Sequence, residues 1–331
     1  MTGQAKRQLP SAERAAAAAV VASAERAAAV AGAAPQSRQH RGRGVRHGRA
    51  IALFTTPFLS LYALFYILPV GYALYASFTK VQRASAYAKG EEVFGSLDQY
   101  RRVFQSADFW ASLRRVLLLL VTQVPVTILL GLTFALLIDS PLVKGRRFFR
   151  LAFFAPYAVP GVVAAIMWGF FYAPTLSPVR SWAEALDLLS GPHVLWAVAN
   201  IVVWTAAGFT MLVMYSAMQA IPQELFEAAR IDGAGYLRIA WSIKIPSIMP
   251  TIIMAGVLSI IGTLQLFNEP TVLLKLSDAM TSDYTPNMLV FATSAVPNYP
   301  LAAAFSVVLA VSTCILSFAF LKSMQKRAFQ A

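Results

Sequence analysis

A single cysteine in 331 residues, Cys314, excludes an intrachain disulfide and any metal site built from cysteine pairs. Histidine is almost as scarce: His40, His47 and His193 stand in no zinc-binding spacing. No G-x-x-x-x-G-K-[ST] stretch occurs, so the chain has no phosphate-cradling loop with which to hydrolyse ATP. No Ser/His/Asp set, paired carboxylate or metal-ligand cluster shares a face, which argues against an enzyme. Only 13% of residues are charged, against 58% hydrophobic, and the mean hydropathy is +0.60. Those values belong to polytopic membrane proteins.

Six apolar segments, near 52–77, 114–138, 150–173, 194–219, 247–267 and 299–321, each approach the ~20 residues that cross a bilayer. The expected fold is therefore all-α, with six transmembrane helices over residues 51–325 and a short C-terminus at 326–331. None of the six has an acid or base near its centre, where one costs about 2.5–3.5 kcal/mol. Proton-driven carriers place carboxylates or histidines inside their spans, so that mechanism is disfavoured.

The net charge of +13 is unevenly spread. Residues 1–50 form an Ala/Arg-rich tail with nine Lys/Arg against two acids. Glu25 and Arg26 interrupt its alanine run, which reads as a cytoplasmic tail rather than a signal-peptide core. With both termini on one side of six spans, that side carries nineteen of the 28 Lys/Arg and the other side nine. The positive-inside rule then puts both termini in the cytoplasm, and it accounts for the basic tail without nucleic acid.

Outside the membrane, GSLDQYRRVFQSADFWASL reads as an interfacial amphipathic helix, with Tyr100, Phe104, Phe109 and Trp110 suited to the headgroup level. Pro125 in span two, and Pro156 and Pro160 in span three, are expected to bend their helices and free backbone carbonyls. Between spans four and five, Pro222 to Pro246 (PQELFEAARIDGAGYLRIAWSIKIP) carries six charges in 25 residues. Pro222 suits a helix start, Leu225, Ala228, Ala229 and Ile231 form a short apolar stripe, and Asp232-Gly233 favours a turn. A second helix with Tyr236, Ile239, Ala240 and Ile243 on one face can follow. The expectation is a helix–turn–helix elbow with a small tip.

Glu227-Ala228-Ala229, Asp232-Gly233-Ala234 and Ile243-Lys244-Ile245-Pro246 resemble the EAA motif of permease subunits of ABC-type carbohydrate importers, of the maltose-permease kind. GSLDQYRRVFQSADFWASL resembles that family's approach to span two, and PLVKGRRFFR its entry to span three, where it rests on lipid headgroups or on the ATPase. The T-G-G-G-P stretch that many members carry in the last outer loop is missing from NEPTVLLKLSDAMTSDYTPNM.

The resemblance implies the type I ABC importer transmembrane fold, in a bacterial or archaeal plasma membrane. It implies that elbow 222–246 is a coupling helix, with Glu227, Ala228, Ala229, Asp232, Gly233, Ala234 and Pro246 facing an ATPase cleft. Partners would be a second, homologous permease, two ATP-binding subunits that use ATP and Mg, an extracytoplasmic sugar-binding protein and membrane lipid. No cofactor is expected in this chain. A di- or oligosaccharide is the expected cargo, with a monosaccharide or polyol phosphate next. Residues matching the family's site in spans three to five are Tyr157, Trp204, Thr205, Phe209, Gln265 and Asn268. Gln265 and Asn268, three apart, would share a helix face. The same residues could instead pack helices together, and the partner permease could hold the site. A stand-alone carrier or channel for small polar solutes is the alternative function.

Overall fold

The computed structural model describes residues 22, 26, 48–82, 91–295 and 298–328, so nearly all of the basic tail lies outside the described residues. The chain divides into two units, residues 1–66 and 67–331. In the first, helix α1 (Gly48–Tyr62) carries Pro57 in its interior; a π-helical turn, Ala63–Ile67, follows at the boundary.

The second unit opens with α2 (Leu68–Ser77) and a two-stranded antiparallel sheet, in which β1 (Thr79–Gln82) pairs with β2 (Glu91–Phe94), Thr79 facing Phe94. Helix α3 (Asp98–Gln105) follows. The Lys80 ammonium 2.5 Å from Asp98, aided by the Ser96 hydroxyl, holds the Asp98 carboxyl below its usual range.

The chain breaks at Ser106, whose side chain accepts from the Phe109 amide and so caps α4 (Ala107–Asp139). The expected interfacial helix is thus two helices, and its rings divide. Phe109 is buried against Phe305, and Tyr100 shares a hydrogen bond with Ser77, while Phe104 and Trp110 stay exposed. Phe109 is core because α3 and α4 meet at the capped break, which turns it inward.

Helix α5 (Arg146–Phe154), a 3₁₀ turn (Ala155–Ala158) and α6 (Gly161–Tyr172) occupy the place of the expected third span. The two halves meet at 96°. Val159 is extended (φ −80°, ψ 123°), as expected of a residue before proline, and Pro160 has no N–H to continue the ladder. In place of a straight third span the chain thus forms a sharply bent helix pair.

Helices α7 (Arg180–Leu186), α8 (Val194–Gln219), α9 (Gln223–Ile231) and α10 (Tyr236–Ile239) lead through a π-turn at Ala240–Lys244 to α11 (Ile245–Ser247) and α12 (Met249–Leu264). Helices α13 (Asn268–Leu273), α14 (Pro286–Ala295) and α15 (Tyr299–Ala328) complete the chain. Among the described residues five helical stretches are long and apolar enough to cross a membrane: Ile51–Ser77, Ala107–Asp139, Val194–Gln219, Met249–Leu273 and Tyr299–Gln325. The bent pair makes a sixth if counted as one span.

Helices α4 and α8 form the most extensive packed pair. A Cβ on Gly131 would come within 2.6 Å of the Thr210 side chain, so glycine there permits the close approach. One buried cluster gathers Tyr172, Val194, Ile201 and Leu273 at one end of this pair. Another gathers Ile138, Met211, Met214, Phe226 and Ile248 beside the elbow.

Candidate functional site

Local chemistry shapes the elbow first. Helix α9 ends where Gly233 takes φ +77°, the left-handed region that favours glycine. The Gly233 amide donates to the Arg230 carbonyl (3.0 Å) and the Ala234 amide to that of Ala229 (2.9 Å). This pair of bonds is a Schellman closure, which satisfies helix-end carbonyls and reverses the chain sharply.

The faces of α9 differ from the expected stripe. Phe226 is the buried residue of this helix, whereas Leu225 and Ala228 are exposed and Ile231 is 87% exposed. The aromatic ring fills the inward position, so the smaller apolar side chains point away from the bundle. On the return arm Ile239 and Ala240 are buried as expected, while Leu237 (73%) and Trp241 (71%) face outward. Glu227, Asp232, Gly233 and Pro246 are exposed, and Ala229 and Ala234 are half-buried against the cluster beneath. The elbow thus presents apolar residues around a small, rigid turn.

A polar anchor holds it. The Lys244 ammonium pairs with the Asp139 carboxylate at the end of α4, beneath the rings of Tyr236 (4.7 Å) and Phe226 (5.5 Å). Gln219 donates to the other Asp139 oxygen (2.6 Å), and the Tyr236 hydroxyl donates to the Leu136 carbonyl (2.7 Å). Sequence reasoning read Lys244 as a loop charge within the Ile243–Pro246 motif, without a partner, and overlooked Asp139. The signal available was an acid at the C-terminal end of a span that has no other charge after Arg115.

Among the bundle helices a cavity of about 490 Å³ opens between the 3₁₀ turn, α4, α8 and α12. Tyr157 and Phe209 line it, their rings stacked at 4.7 Å. Its polar lining is Gln123, Thr210, Ser259 and Thr263, with no Asp, Glu, Lys, Arg or His among the lining residues. The Gln123 amide donates to the Thr127 hydroxyl (3.1 Å), and its carbonyl accepts from Thr263 (2.7 Å). These bonds use one of the two Gln123 amide hydrogens. Stacked rings with neutral hydrogen-bonding groups match the two surfaces of an uncharged carbohydrate.

The other candidates lie elsewhere. Trp204 stands edge-on to Trp168 (5.8 Å) and packs on the cluster around Tyr172. The Thr205 hydroxyl lies 3.0 Å from the Ile201 and Val202 carbonyls of its own helix. Gln265 and Asn268 do not share a helix face: α12 ends at Leu264, and Asn268 begins α13 after Phe267 turns to φ −142°. Gln265 lines a second cavity, of about 660 Å³, with Val257 and Ile261 and residues of α14 and α15. Helix α12 separates the two cavities, and Gln123, Ser259 and Thr263 were missed because α4 and α12 meet only in the folded bundle.

Membrane-length helices around an uncharged cavity define a multi-pass membrane protein of the transport class. The fold is the type I importer transmembrane fold: a bacterial ABC transporter importing the acidic polysaccharide alginate matches with a TM-score of 0.70 at 19% identity, over 85% of this chain and 97% of that one. The chain belongs to the family of binding-protein-dependent transport system inner membrane components, whose sequence model matches residues 127–330. Among curated relatives, the diacetylchitobiose uptake permease NgcF of Streptomyces coelicolor is 29% identical over 226 residues, 63% of each chain. The trehalose/maltose permease MalF of Thermococcus litoralis is 32% identical over 225 residues, 65% of this chain and 74% of the relative.

Proposed function

We propose that this chain is one permease subunit of an ATP-driven, binding-protein-dependent sugar importer, forming half of the translocation pathway. The carrying observation is the elbow, a Schellman-closed turn with exposed Ile231, Leu237 and Trp241, pinned to span two by Lys244 and Asp139. Such a surface is suited to a cleft on a partner, and the pinning makes movement of the elbow movement of α4. A pair of ATPase subunits, which bind ATP and Mg, closes around the elbows of this chain and a homologous permease. Closure biases the spans between a state open to an extracytoplasmic sugar-binding protein and a state open to the cytoplasm. In this reading Glu227, Ala228, Ala229, Asp232, Gly233, Ala234 and Pro246 form the docked elbow.

The cargo is a neutral di- or oligosaccharide. The names of the chitobiose and trehalose/maltose relatives support this, as does the uncharged cavity with its Tyr157–Phe209 stack. The test is reconstitution in proteoliposomes with the second permease, the ATPase and the binding protein. Expected is sugar uptake that needs ATP and all four kinds of component. Equal flux through this chain alone would overturn the proposal in favour of a stand-alone carrier.

A further inference from the structure

Where α4 ends, the chain passes through Gly145 at φ +76° and enters α5 with the sequence RRFFR. Beside this entry lies a cavity of about 510 Å³, lined by Arg146, Arg147, Arg150, Tyr215, Ile138 and Val143. Three arginines line it, and among the described residues none of them makes an ion pair. Asp139, the nearest acid along the chain, is committed to Lys244 and Gln219. Arg146 donates to the Ser140 carbonyl (2.9 Å), and Arg150 lies 5.9 Å from the Tyr215 ring centre, so two of the three are already held in place. Guanidinium forks without a carboxylate are complementary to phosphate oxygens, which they bind bidentately.

The surroundings say what carries the phosphate. The same nine-residue helix exposes Phe148 (69%) and Leu151 (67%), and Leu142 is exposed in the loop before it. Arginines and large apolar side chains together on a short helix, next to the end of a membrane-spanning helix, suit the interface, rings among acyl chains and cations among headgroups. Basic pockets between spanning helices are suited to anionic headgroups. We propose that this cavity is a binding site for the phosphodiester headgroup of an anionic glycerophospholipid. Arg147 and Arg150 clamp the phosphate, with Tyr215 lining the same cavity. A lipid so held ties the end of α4 to α8 and to the start of the bent helix pair. The proposal needs only that α4 and α8 cross a membrane, so it stands apart from the identity of the cargo.

The experiment uses the full-length chain purified in a neutral detergent. It is titrated separately with phosphatidylglycerol, phosphatidylcholine and inorganic phosphate, while bound lipid is counted by native mass spectrometry and the melting temperature followed. Phosphatidylglycerol should bind and raise the melting temperature; the other two should not. Arg147→Gln with Arg150→Gln should weaken phosphatidylglycerol binding about 30-fold, and Arg147→Lys with Arg150→Lys should weaken it less. If the glutamine variant fails to fold, 0.5 M salt should weaken binding to the wild-type chain, because the attraction is electrostatic. Equal binding of phosphatidylcholine overturns the proposal, as does equal stabilisation by inorganic phosphate, which would mark a free-anion site. Normal lipid binding by the glutamine variant, with loss of ATPase co-purification, would overturn it and assign the arginines to a protein partner.

Discussion

Lys244, the last charge of the elbow, is paired with Asp139, the last residue of α4, and the two side chains are only 6% and 14% exposed. The bond joins residues 105 apart in sequence, so it fastens the C-terminal end of one spanning helix to the segment that leads into another. Breaking a buried pair leaves a charge without compensation, at a cost of about 3–5 kcal/mol, whereas replacing both partners by apolar groups is often neutral. Lys244→Met should therefore lower the melting temperature of the purified chain, though Gln219 still serves one Asp139 oxygen. The double variant Asp139→Leu/Lys244→Met should recover most of the loss. If the single variant is as stable as wild type, the pair does not anchor the elbow.

The elbow tip gives a second prediction. Gly233 at φ +77° has nothing within 4 Å of an added Cβ, so a substitution there meets backbone strain and no steric clash. Gly233→Val should cost at least about 1–2 kcal/mol locally and distort the turn. Exposed Glu227 can be reversed to Lys without touching the core. Both variants should insert normally while ATP-driven uptake falls and the ATPase subunit dissociates more readily on size-exclusion chromatography. Normal uptake in both would remove the coupling role.

The sequence carried the spans and the elbow's turn because both are local: apolar runs of membrane length, and a glycine where the chain must reverse. It flagged Pro156 and Pro160 but not the 96° angle between α5 and α6, because a proline marks where a helix breaks and packing sets the direction. Phe226, not the Leu225–Ile231 stripe, faces inward, since the bundle's surface rather than α9's own periodicity selects the buried side. Gln265 and Asn268 were read as one helical face across a helix end that no proline or glycine marks. The Asp139–Lys244 pair and the Gln123–Thr263 bond depend on separations of 105 and 140 residues, beyond any spacing rule.

Orientation can be checked directly. With Cys314 replaced by serine, single cysteines at Arg43 and Ser323 should react with an impermeant maleimide only after the membrane is opened. Cysteines at Ser96 and Asp278 should react in intact cells. Labelling of the Ser323 position from outside would put the elbow on the wrong face for an ATPase.

The cavity between α4, α8 and α12 yields the last prediction. Tyr157 and Phe209 form its stacked wall, and Gln123 and Thr263 its hydrogen-bonding floor. If the sugar bonds Gln123, Gln123→Leu leaves a guest hydroxyl buried without a partner, at about 1–3 kcal/mol. That corresponds to roughly a 5- to 150-fold weaker apparent affinity for transport. Phe209→Ala should act in the same direction by removing a ring face, while the isolated sugar-binding protein keeps its affinity. Gln265→Leu and Asn268→Leu, outside this cavity, should transport normally if the sugar occupies it. Gln123 also supports the helix pair through Thr263, so membrane abundance and melting temperature must be measured for each variant. A transport loss that only tracks lost stability would make Gln123 a packing residue, and losses confined to Gln265→Leu and Asn268→Leu would move the sugar to the other side of α12.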